Sequence, residues 1–249
     1  MDIKTIFRYL MEEKSLQGVI NRLYQPSERE VIISPANFDF ITTKTGERFH
    51  VTRNICTVEE VVEEIQKDET FYHHSGGGVT VSGGEPLLQW EFVLALFEAC
   101  KKRHLHTVLD TSGYAPWDIL GRVLHHVDLV LYDIKSMDGE RHREGTNVMN
   151  ETILENAVRT AKMKRTWLRY VVVPGFNDSI ECALRIGEFA SMLRPEKVSL
   201  LPYHSLGAGK YERLGRAYPM GDIASPSEEN LRRLADILSS FGINVTISY

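Results

Sequence analysis

The feature that most constrains the fold of this chain is a glycine-rich segment at residues 76–88, which reads GGGVTVSGGEPLL. Its centre, residues 79–81, predicts a short buried strand with glycines at both ends. Pro86 suits the first turn of a following helix, because the N–H that proline lacks has no intrahelical partner there. The segment therefore predicts a strand, a tight turn and a helix in immediate succession.

The turn in this segment combines two glycines with a carboxylate. Gly83 and Gly84 have no Cβ, so a ligand can lie directly on the backbone, and Glu85 adds one negative charge beside it. This combination suits a ligand with an amine better than one with phosphates. A plain strand-to-helix turn with an incidental Glu explains the spacing equally well. A Walker loop is excluded, because Gly84 and Glu85 stand where Lys and Ser/Thr are needed, and no G-x-G-x-x-G run follows the strand.

Composition excludes several classes of function. The net charge is −5 and no long basic run occurs, so nucleic acid is not an expected partner. No apolar run reaches membrane-spanning length and the N-terminus lacks a signal-peptide pattern, so no membrane association is expected. The three cysteines are odd in number and widely spread, which does not indicate a disulfide framework. We expect a cytoplasmic protein.

The N-terminal region differs in pattern from the rest of the chain. Residues 4–24 carry apolar side chains at helical spacing. Alternating apolar residues on both sides of residues 44–47 indicate a hairpin. We therefore expect an atypical helix-and-hairpin segment over residues 1–55.

Residues 56–249 are expected to form one α/β domain. Thr57 and Glu60 have the spacing of a capping box for a helix over residues 58–65. From residue 79, apolar strands alternate with helices, which indicates a parallel sheet covered on both faces or rolled into a barrel. The predicted strands are residues 79–82, 106–110, 128–134, 166–173, 197–202 and 244–247, and the helices lie at about 88–103, 115–126, 151–163, 180–193 and 227–240.

Ionisable and ligand-binding side chains follow the ends of these strands. Besides the glycine–Glu turn, Asp110 and Thr111 end one strand, Asp133 and Lys135 end the next, and His204 follows a later one. Ligands bind at the C-terminal strand ends of βα barrels and open parallel sheets. Asp133 and Lys135 are two residues apart, so on a strand they point to the same side. The sequence therefore predicts a binding site at this edge.

Structural alternatives exist for each of these residues. A buried Lys135 beside Asp133 would be a satisfied ion pair. Arg169 lies within an apolar strand and is rarely buried unless paired, so it either anchors a ligand carboxylate, which we favour, or pairs with an Asp of a neighbouring strand. Because several strand ends all carry ionisable or ligand-binding side chains, a shared binding site is favoured over an unrelated structural role for each residue.

Other polar residues are predicted to be structural. His73 and His74 precede the glycines and are interpreted as solvated loop residues. Asn177 and Asp178 follow Pro-Gly and predict a turn and a helix N-cap. None of these four residues is expected in the site.

Five segments, in order and sensibly spaced from about residue 57 onward, resemble the radical-SAM activating family of glycyl-radical enzymes, of which pyruvate formate-lyase activating enzymes are the type. They read SGGGVTVSGGEPLLQ, HTVLDTSGY, DLVLYDIKSM, LRYVVVPGFND and KVSLLPYHSLG. The resemblance implies a partial (β/α)6, TIM-like barrel that binds S-adenosylmethionine (SAM) at its C-terminal strand ends. It also implies generation of a glycyl radical on a partner glycyl-radical enzyme, with an electron donor such as flavodoxin.

The resemblance also implies roles for the strand-end residues. The glycine–Glu turn would hold the methionine amine of SAM. The Asp-x-Lys pair and the strand-end His would position the cofactor and the substrate peptide, and the Asp-Thr pair would help to hold a monovalent cation near the cofactor carboxylate. With Arg169 as a further candidate, the expected cofactor-binding residues are Gly83, Gly84, Glu85, Asp110, Thr111, Asp133, Lys135, Arg169 and His204, of which Asp133 and Lys135 are the catalytic candidates.

The sequence departs from this family in its cysteines. The family's [4Fe–4S] cluster is held by three thiolates in a C-x3-C-x2-C loop on the first barrel strand. This chain has only Cys56, Cys100 and Cys182, which are far apart in sequence, and the N-terminal helix and hairpin stand where the cluster strand is expected. We therefore predict no metal ligands in this chain.

Several interpretations accommodate an intact cofactor pocket without cluster ligands. In the first, the chain is a non-catalytic paralogue that keeps a SAM-binding or partner-binding surface. In the second, it is an activase whose N-terminal module is lost or replaced. In the third, it is an enzyme that is reduced in another way, which nothing in the sequence supports. An alternative of another class is a barrel lyase with Lys135 as Schiff-base nucleophile, its amine made neutral by burial. Asp133 counts against this reading, because a carboxylate stabilises the charged amine.

Overall fold

The structure of the chain, a computed structural model, describes residues 30–42, 48–82, 85–204 and 223–248. The predicted helix over residues 4–24 lies outside these ranges, as do Gly83 and Gly84. Within the described ranges, no helix is long and apolar enough to cross a membrane.

Two antiparallel strands, β1 (Glu30–Thr42) and β2 (Arg48–Thr57), form a separate two-stranded sheet. Their antiparallel register confirms the predicted hairpin. β2 leads directly into helix α1 (Val58–Gln66). The Thr57 side chain accepts a hydrogen bond from the Glu60 N–H at 3.2 Å, and the Glu60 carboxylate accepts one from the Thr57 N–H at 2.7 Å, which confirms the capping box. The proposed domain division at residue 55 falls within β2 and stays a prediction.

The other six strands form one parallel sheet whose spatial order follows the order of the chain. Each strand is joined to the next by a crossover that contains at least one helix. Strictly sequential order is typical of a βα barrel, whereas doubly wound sheets reverse their order at a switch point. The sheet is therefore a partial barrel, as predicted. After α2 (Glu69–Ser75), its elements are β3 (Gly78–Val81), a 3₁₀ helix (Pro86–Gln89), α3 (Trp90–Lys102), β4 (His106–Thr111), α4 (Trp117–Leu124), β5 (Leu129–Asp133), α5 (Gly139–Thr146), α6 (Glu151–Met163), β6 (Arg165–Val172), α7 (Ile180–Leu193), β7 (Lys197–Pro202), α8 (Glu228–Ser239) and β8 (Val245–Ile247).

The two faces of the parallel sheet differ in burial. Along β4, β5 and β6 the outward-facing residues, such as Leu109, Tyr132 and Leu168, are fully buried under the helices in one large apolar core. The alternate residues of the same strands, among them Asp110 and Arg169, are only partly buried. Successive side chains on a strand point to opposite faces, so the helices cover one face and the ionisable groups line the other. This places polar groups on the inner face of the partial barrel without interrupting the core.

Two local predictions are wrong, and one helix is missed. The loop predicted at His73 and His74 is helix α2, and α5 is not predicted at all. Both helices are short, and neither has the apolar repeat that marks a helix packed on a core. The N-cap of α7 is Ser179, whose side chain accepts from the Cys182 N–H, and not Asn177 or Asp178.

The loop after β4 contains a glycine that the packing requires. Gly113 has φ +70°, and a Cβ built on it would lie 1.8 Å from the buried Tyr132 hydroxyl. Gly175, after β6, has φ +75° but no atom within 4 Å of such a Cβ. The two glycines share a left-handed backbone conformation and differ in the space around it.

This pair separates backbone strain from packing. We expect Gly175→Ala to lower the free energy of unfolding by about 1 kcal/mol, the cost of a left-handed Ala. Gly113→Ala should cost a further 1–3 kcal/mol or so, because a methyl group must be forced against Tyr132. Urea unfolding followed by circular dichroism measures both changes. Equal losses in the two variants would show that the loop after β4 is not packed on Tyr132.

Candidate functional site

Three charged residues on neighbouring strands meet at the C-terminal edge of the sheet. Asp133 ends β5 and lies directly opposite Arg169 of β6, while Asp110 comes from β4. The Arg169 guanidinium donates from Nε to Asp133 Oδ1 at 2.7 Å and from Nη2 to Asp110 Oδ1. One side chain therefore joins the ends of three strands.

Burial and the neighbouring opposite charges shift the pKa values of Asp110 and Arg169 in opposite directions. Burial raises the pKa of Asp110 above its ordinary value, and the nearby Asp133 raises it further, although Arg169 and Ser82 work to lower it. Burial works to lower the pKa of the Arg169 guanidinium, but the carboxylates of Asp133 and Asp110 hold it above its ordinary value. The guanidinium is thus fixed in its charged form between two carboxylates that would otherwise repel each other.

Lys135 and Ser82 extend this group at its two ends. The Lys135 ammonium lies 3.7 Å from Asp133 Oδ2, too far for a hydrogen bond, and the side chain is 27% exposed. Among the described residues nothing accepts a hydrogen bond from this ammonium, so none of them uses its donors. At the other end, the Ser82 hydroxyl donates to Asp110 Oδ2 at 2.8 Å. We call Ser82, Asp110, Asp133, Lys135 and Arg169 the strand-end cluster.

Glu85 is close to this cluster but is fully engaged by the protein. It is only 6% exposed, and its Oε1 accepts from the Thr111 hydroxyl at 2.6 Å and from the Leu87 N–H at 3.3 Å. Its Oε2 accepts from both the N–H and the hydroxyl of Ser112. Two carboxylate oxygens offer about four acceptor sites, and all four are used. The side chain therefore joins the turn after β3 to the end of β4.

Thr111, which the resemblance assigns to a cation site, is part of the same contact. Its hydroxyl is buried, donates to Glu85 and accepts from the Gly113 N–H at 2.9 Å. His204 lies exposed just beyond β7, at the same edge of the sheet as the strand-end cluster. A cavity of about 390 Å³ opens next to this edge but is lined by none of the strand-end cluster; its walls are Pro174, Asp178, Ile223, Ala224, Ser225, Pro226, Ser227 and Asn230.

The three cysteines do not fit a [4Fe–4S] cluster. Cys100 is buried near the end of α3, and burial raises the pKa of its thiol, which disfavours the thiolate that a cluster needs. Cys182 lies at the start of α7, its Sγ 3.8 Å from Arg141 Nη1, and Cys56 lies in β2. The end of α3 and the start of α7 belong to opposite edges of the sheet. Within the described residues, no three His, Cys, Asp or Glu side chains form a group that could hold a metal ion.

The geometry agrees with comparisons to known proteins. The model of the Radical SAM superfamily matches residues 40–185. The chain belongs to this superfamily. It is 42% identical over 193 residues to the pyruvate formate-lyase 1-activating enzyme of Escherichia coli, an alignment that covers 76% of this chain and 78% of the relative. The predicted activating-enzyme family is thereby confirmed.

Two further comparisons define the extent of the likeness. The isethionate sulfite-lyase activating enzyme of Oleidesulfovibrio alaskensis is 44% identical over 171 residues, covering 67% of this chain and 55% of that enzyme. A crystal structure of a domain of pyruvate-formate lyase-activating enzyme from Bacteroides vulgatus has TM-score 0.60 and 32% identity, covering 70% of this chain and 99% of that domain. Each of these alignments thus covers two thirds or more of this chain.

The sequence analysis missed three residues that shape the site. Ser82 holds Asp110, Ser112 holds Glu85, and Asn177 binds the backbone after β5. Ser82 and Ser112 stand next to predicted strand ends, and this position could have indicated that they belong to the site. No local pattern indicates the contact of Asn177, because its partner Lys135 is distant in sequence.

Removal of the central guanidinium should make stability depend on pH. In Arg169→Met, Asp110 and Asp133 face each other without a cation, and we expect the free energy of unfolding at pH 7 to fall by about 3 kcal/mol. The folded variant then binds more protons than the unfolded chain above pH ~4, because burial and Asp133 raise the pKa of Asp110 and the lowering by Arg169 is lost. Its stability therefore falls as pH rises from about 4 to 7, which urea unfolding at several pH values would measure.

The matched control is Arg165→Met on the same strand. Arg165 pairs with Glu196 at the exposed beginning of β6, so its loss should leave stability and its pH dependence unchanged. Equal stability of Arg169→Met and wild type at pH 7 would contradict the bridging role of Arg169.

Proposed function

We propose that this chain binds SAM at the strand-end cluster and serves as an activating-family partner of a glycyl-radical enzyme. The observation that carries the proposal is the Lys135 ammonium, from which no described residue accepts a hydrogen bond. It lies beside Asp133, which Arg169 joins to Asp110 at the C-terminal barrel edge. The amino-acid part of SAM carries one carboxylate and one ammonium group. A site with an available ammonium and neighbouring carboxylates complements both ends of that zwitterion.

The residues have distinct parts in this proposal. Lys135 binds the carboxylate of SAM, and the remaining acceptor capacity of Asp133 and Asp110 receives the amine or the ribose hydroxyls. Arg169 has both carboxylates as partners, so it sets their positions and does not bind the ligand carboxylate itself. The side chain of Glu85 likewise acts through the backbone that it holds.

The proposal is restricted to binding. SAM together with a reduced [4Fe–4S] cluster supplies the radical chemistry of this superfamily, but the cysteines of this chain do not fit such a cluster. We therefore assign no electron transfer to its residues. The partner is proposed as a class, because the relatives are named for two different enzymes, pyruvate formate-lyase and isethionate sulfite-lyase.

A second candidate is full activase activity, which the 42% identity to an activating enzyme favours. The Schiff-base alternative is weaker, because the Lys135 ammonium faces Asp133 at 3.7 Å. Borohydride trapping of a carbonyl compound on Lys135 would revive it.

Calorimetry with SAM tests the binding site. We expect weak but measurable binding by wild type and at least about tenfold weaker binding by Lys135→Met, equal to about 1.4 kcal/mol, because the carboxylate of SAM loses its cation. Lys101→Met is the control, since Lys101 pairs with Asp128 at the opposite edge of the sheet, and it should bind like wild type. Equal affinities of Lys135→Met and wild type, or no heat from wild type at high SAM concentration, would refute the site.

Anaerobic reconstitution with iron and sulfide distinguishes the two candidate functions. We expect no stable [4Fe–4S] cluster and no deoxyadenosine from SAM with a strong reductant. Stoichiometric iron and sulfide retained after desalting, together with a paramagnetic resonance of the reduced protein, would establish the full activase instead.

A further inference from the structure

We infer that Asn177 is a positioning residue that fixes Lys135 for ligand binding, an inference that rests on the proposed SAM site. Asn177 lies in the loop between β6 and α7 and is 1% exposed. Its Nδ2 donates to the Lys135 carbonyl at 2.9 Å and to the Val171 carbonyl at 2.7 Å. Its Oδ1 accepts from the Val173 N–H at 2.7 Å. All the hydrogen-bonding groups of this amide are directed at backbone.

The Asn177 side-chain amide takes the place of backbone hydrogen bonds beyond the end of the β5–β6 pairing. The N–H of Ile134 donates to the Arg169 carbonyl at 3.0 Å, beyond the end of β5. The carbonyls of Lys135 and Val171 lie beyond the last paired residues, Asp133 and Arg169, and both accept from Asn177 Nδ2. A side-chain amide supplies two N–H groups on one nitrogen and so satisfies both carbonyls. Asn177 thereby extends the β5–β6 pairing to the residue that carries the ligand-binding ammonium.

Lys135 is also held from the other side. Asn150, at the start of α6, donates from Nδ2 to the Ser136 carbonyl at 2.9 Å. Consecutive carbonyls of the loop after β5 are thus fixed by two buried asparagines from different elements. The backbone of Lys135 cannot shift without breaking one of these contacts, so its side chain starts from a fixed point close to Asp133.

The loop that carries Asn177 is itself anchored. The buried Tyr170 hydroxyl donates to the Asn177 carbonyl at 2.8 Å, and the Gly175 N–H donates to Asp178 Oδ1 at 2.9 Å. The Asn177 N–H donates to the Val173 carbonyl at 3.2 Å. The amide therefore presents its donors to Lys135 and Val171 from a fixed position.

The test exploits the difference between an amide and a carboxylate. Asn177→Asp keeps the shape but turns an oxygen toward two carbonyls. At pH 8 we expect the variant to bind SAM about tenfold more weakly than wild type, by analogy with residues that orient ligand-holding groups. At pH 5.5 the buried carboxyl is protonated and donates one hydrogen bond, so the loss relative to wild type at the same pH should shrink. Calorimetry at both pH values measures this.

Asn156→Asp is the matched control. Asn156 is buried like Asn177, and its Nδ2 donates to the Gly113 and Ala115 carbonyls at 2.8 Å in a different loop. It should lose stability in urea but bind SAM like wild type once folded. A loss of SAM affinity equal to that of Asn177→Asp, or unchanged affinity of Asn177→Asp at both pH values, would overturn the inference.

A second readout does not depend on SAM. The rate at which an amine-acylating reagent modifies Lys135, followed by peptide mass spectrometry, reports the freedom of its ammonium. We expect modification several-fold faster in Asn177→Asp than in wild type and in Asn156→Asp. Equal rates refute the positioning role even if SAM binds, whereas a rate difference without SAM binding refutes only the proposed function.

Discussion

The ion group around Arg169 is the interaction on which the site depends. Three neighbouring parallel strands carry Asp110, Asp133 and Arg169 in their C-terminal halves, and the guanidinium lies between the two carboxylates. Without it, two partly buried negative charges would stand side by side. With it, both carboxylates are held at a fixed separation, each with acceptor capacity left for a ligand. Arg169 therefore holds the carboxylates of Asp110 and Asp133 in place for a ligand and need not contact the ligand itself.

Two buried polar side chains fix the backbone on either side of this ion group. Glu85 joins the turn after β3 to the end of β4, and Asn177 joins the loop after β5 to the end of β6. Each has its hydrogen-bonding capacity filled by protein groups, so each fixes backbone and contributes no free group to a ligand. The Lys135 ammonium, from which no described residue accepts a hydrogen bond, thus projects from a C-terminal sheet edge whose backbone is fixed.

The sequence predicted the strands, most helices and the strand-end residues, because apolar runs and two-residue spacing are local properties. The contacts among those residues depend on strand register and barrel curvature, which no local pattern contains. The sequence left two roles open for Arg169, a ligand carboxylate or an Asp of a neighbouring strand, and the register places it opposite Asp133. Glu85 was expected to face an amine, but Thr111 and Ser112 reach it first. Polar helix α5 has no apolar repeat to reveal it.

Hydrogen–deuterium exchange with and without SAM tests the central claim most directly, because it reports where along the sheet a ligand acts. The account predicts that SAM slows exchange at the C-terminal strand ends, in peptides that contain residues 82–88, 110–112, 133–137 and 169–177. Exchange around Cys100 and Asp128, at the opposite edge, should not change. Protection at that opposite edge, or no protection at the strand ends when SAM is saturating, would contradict it.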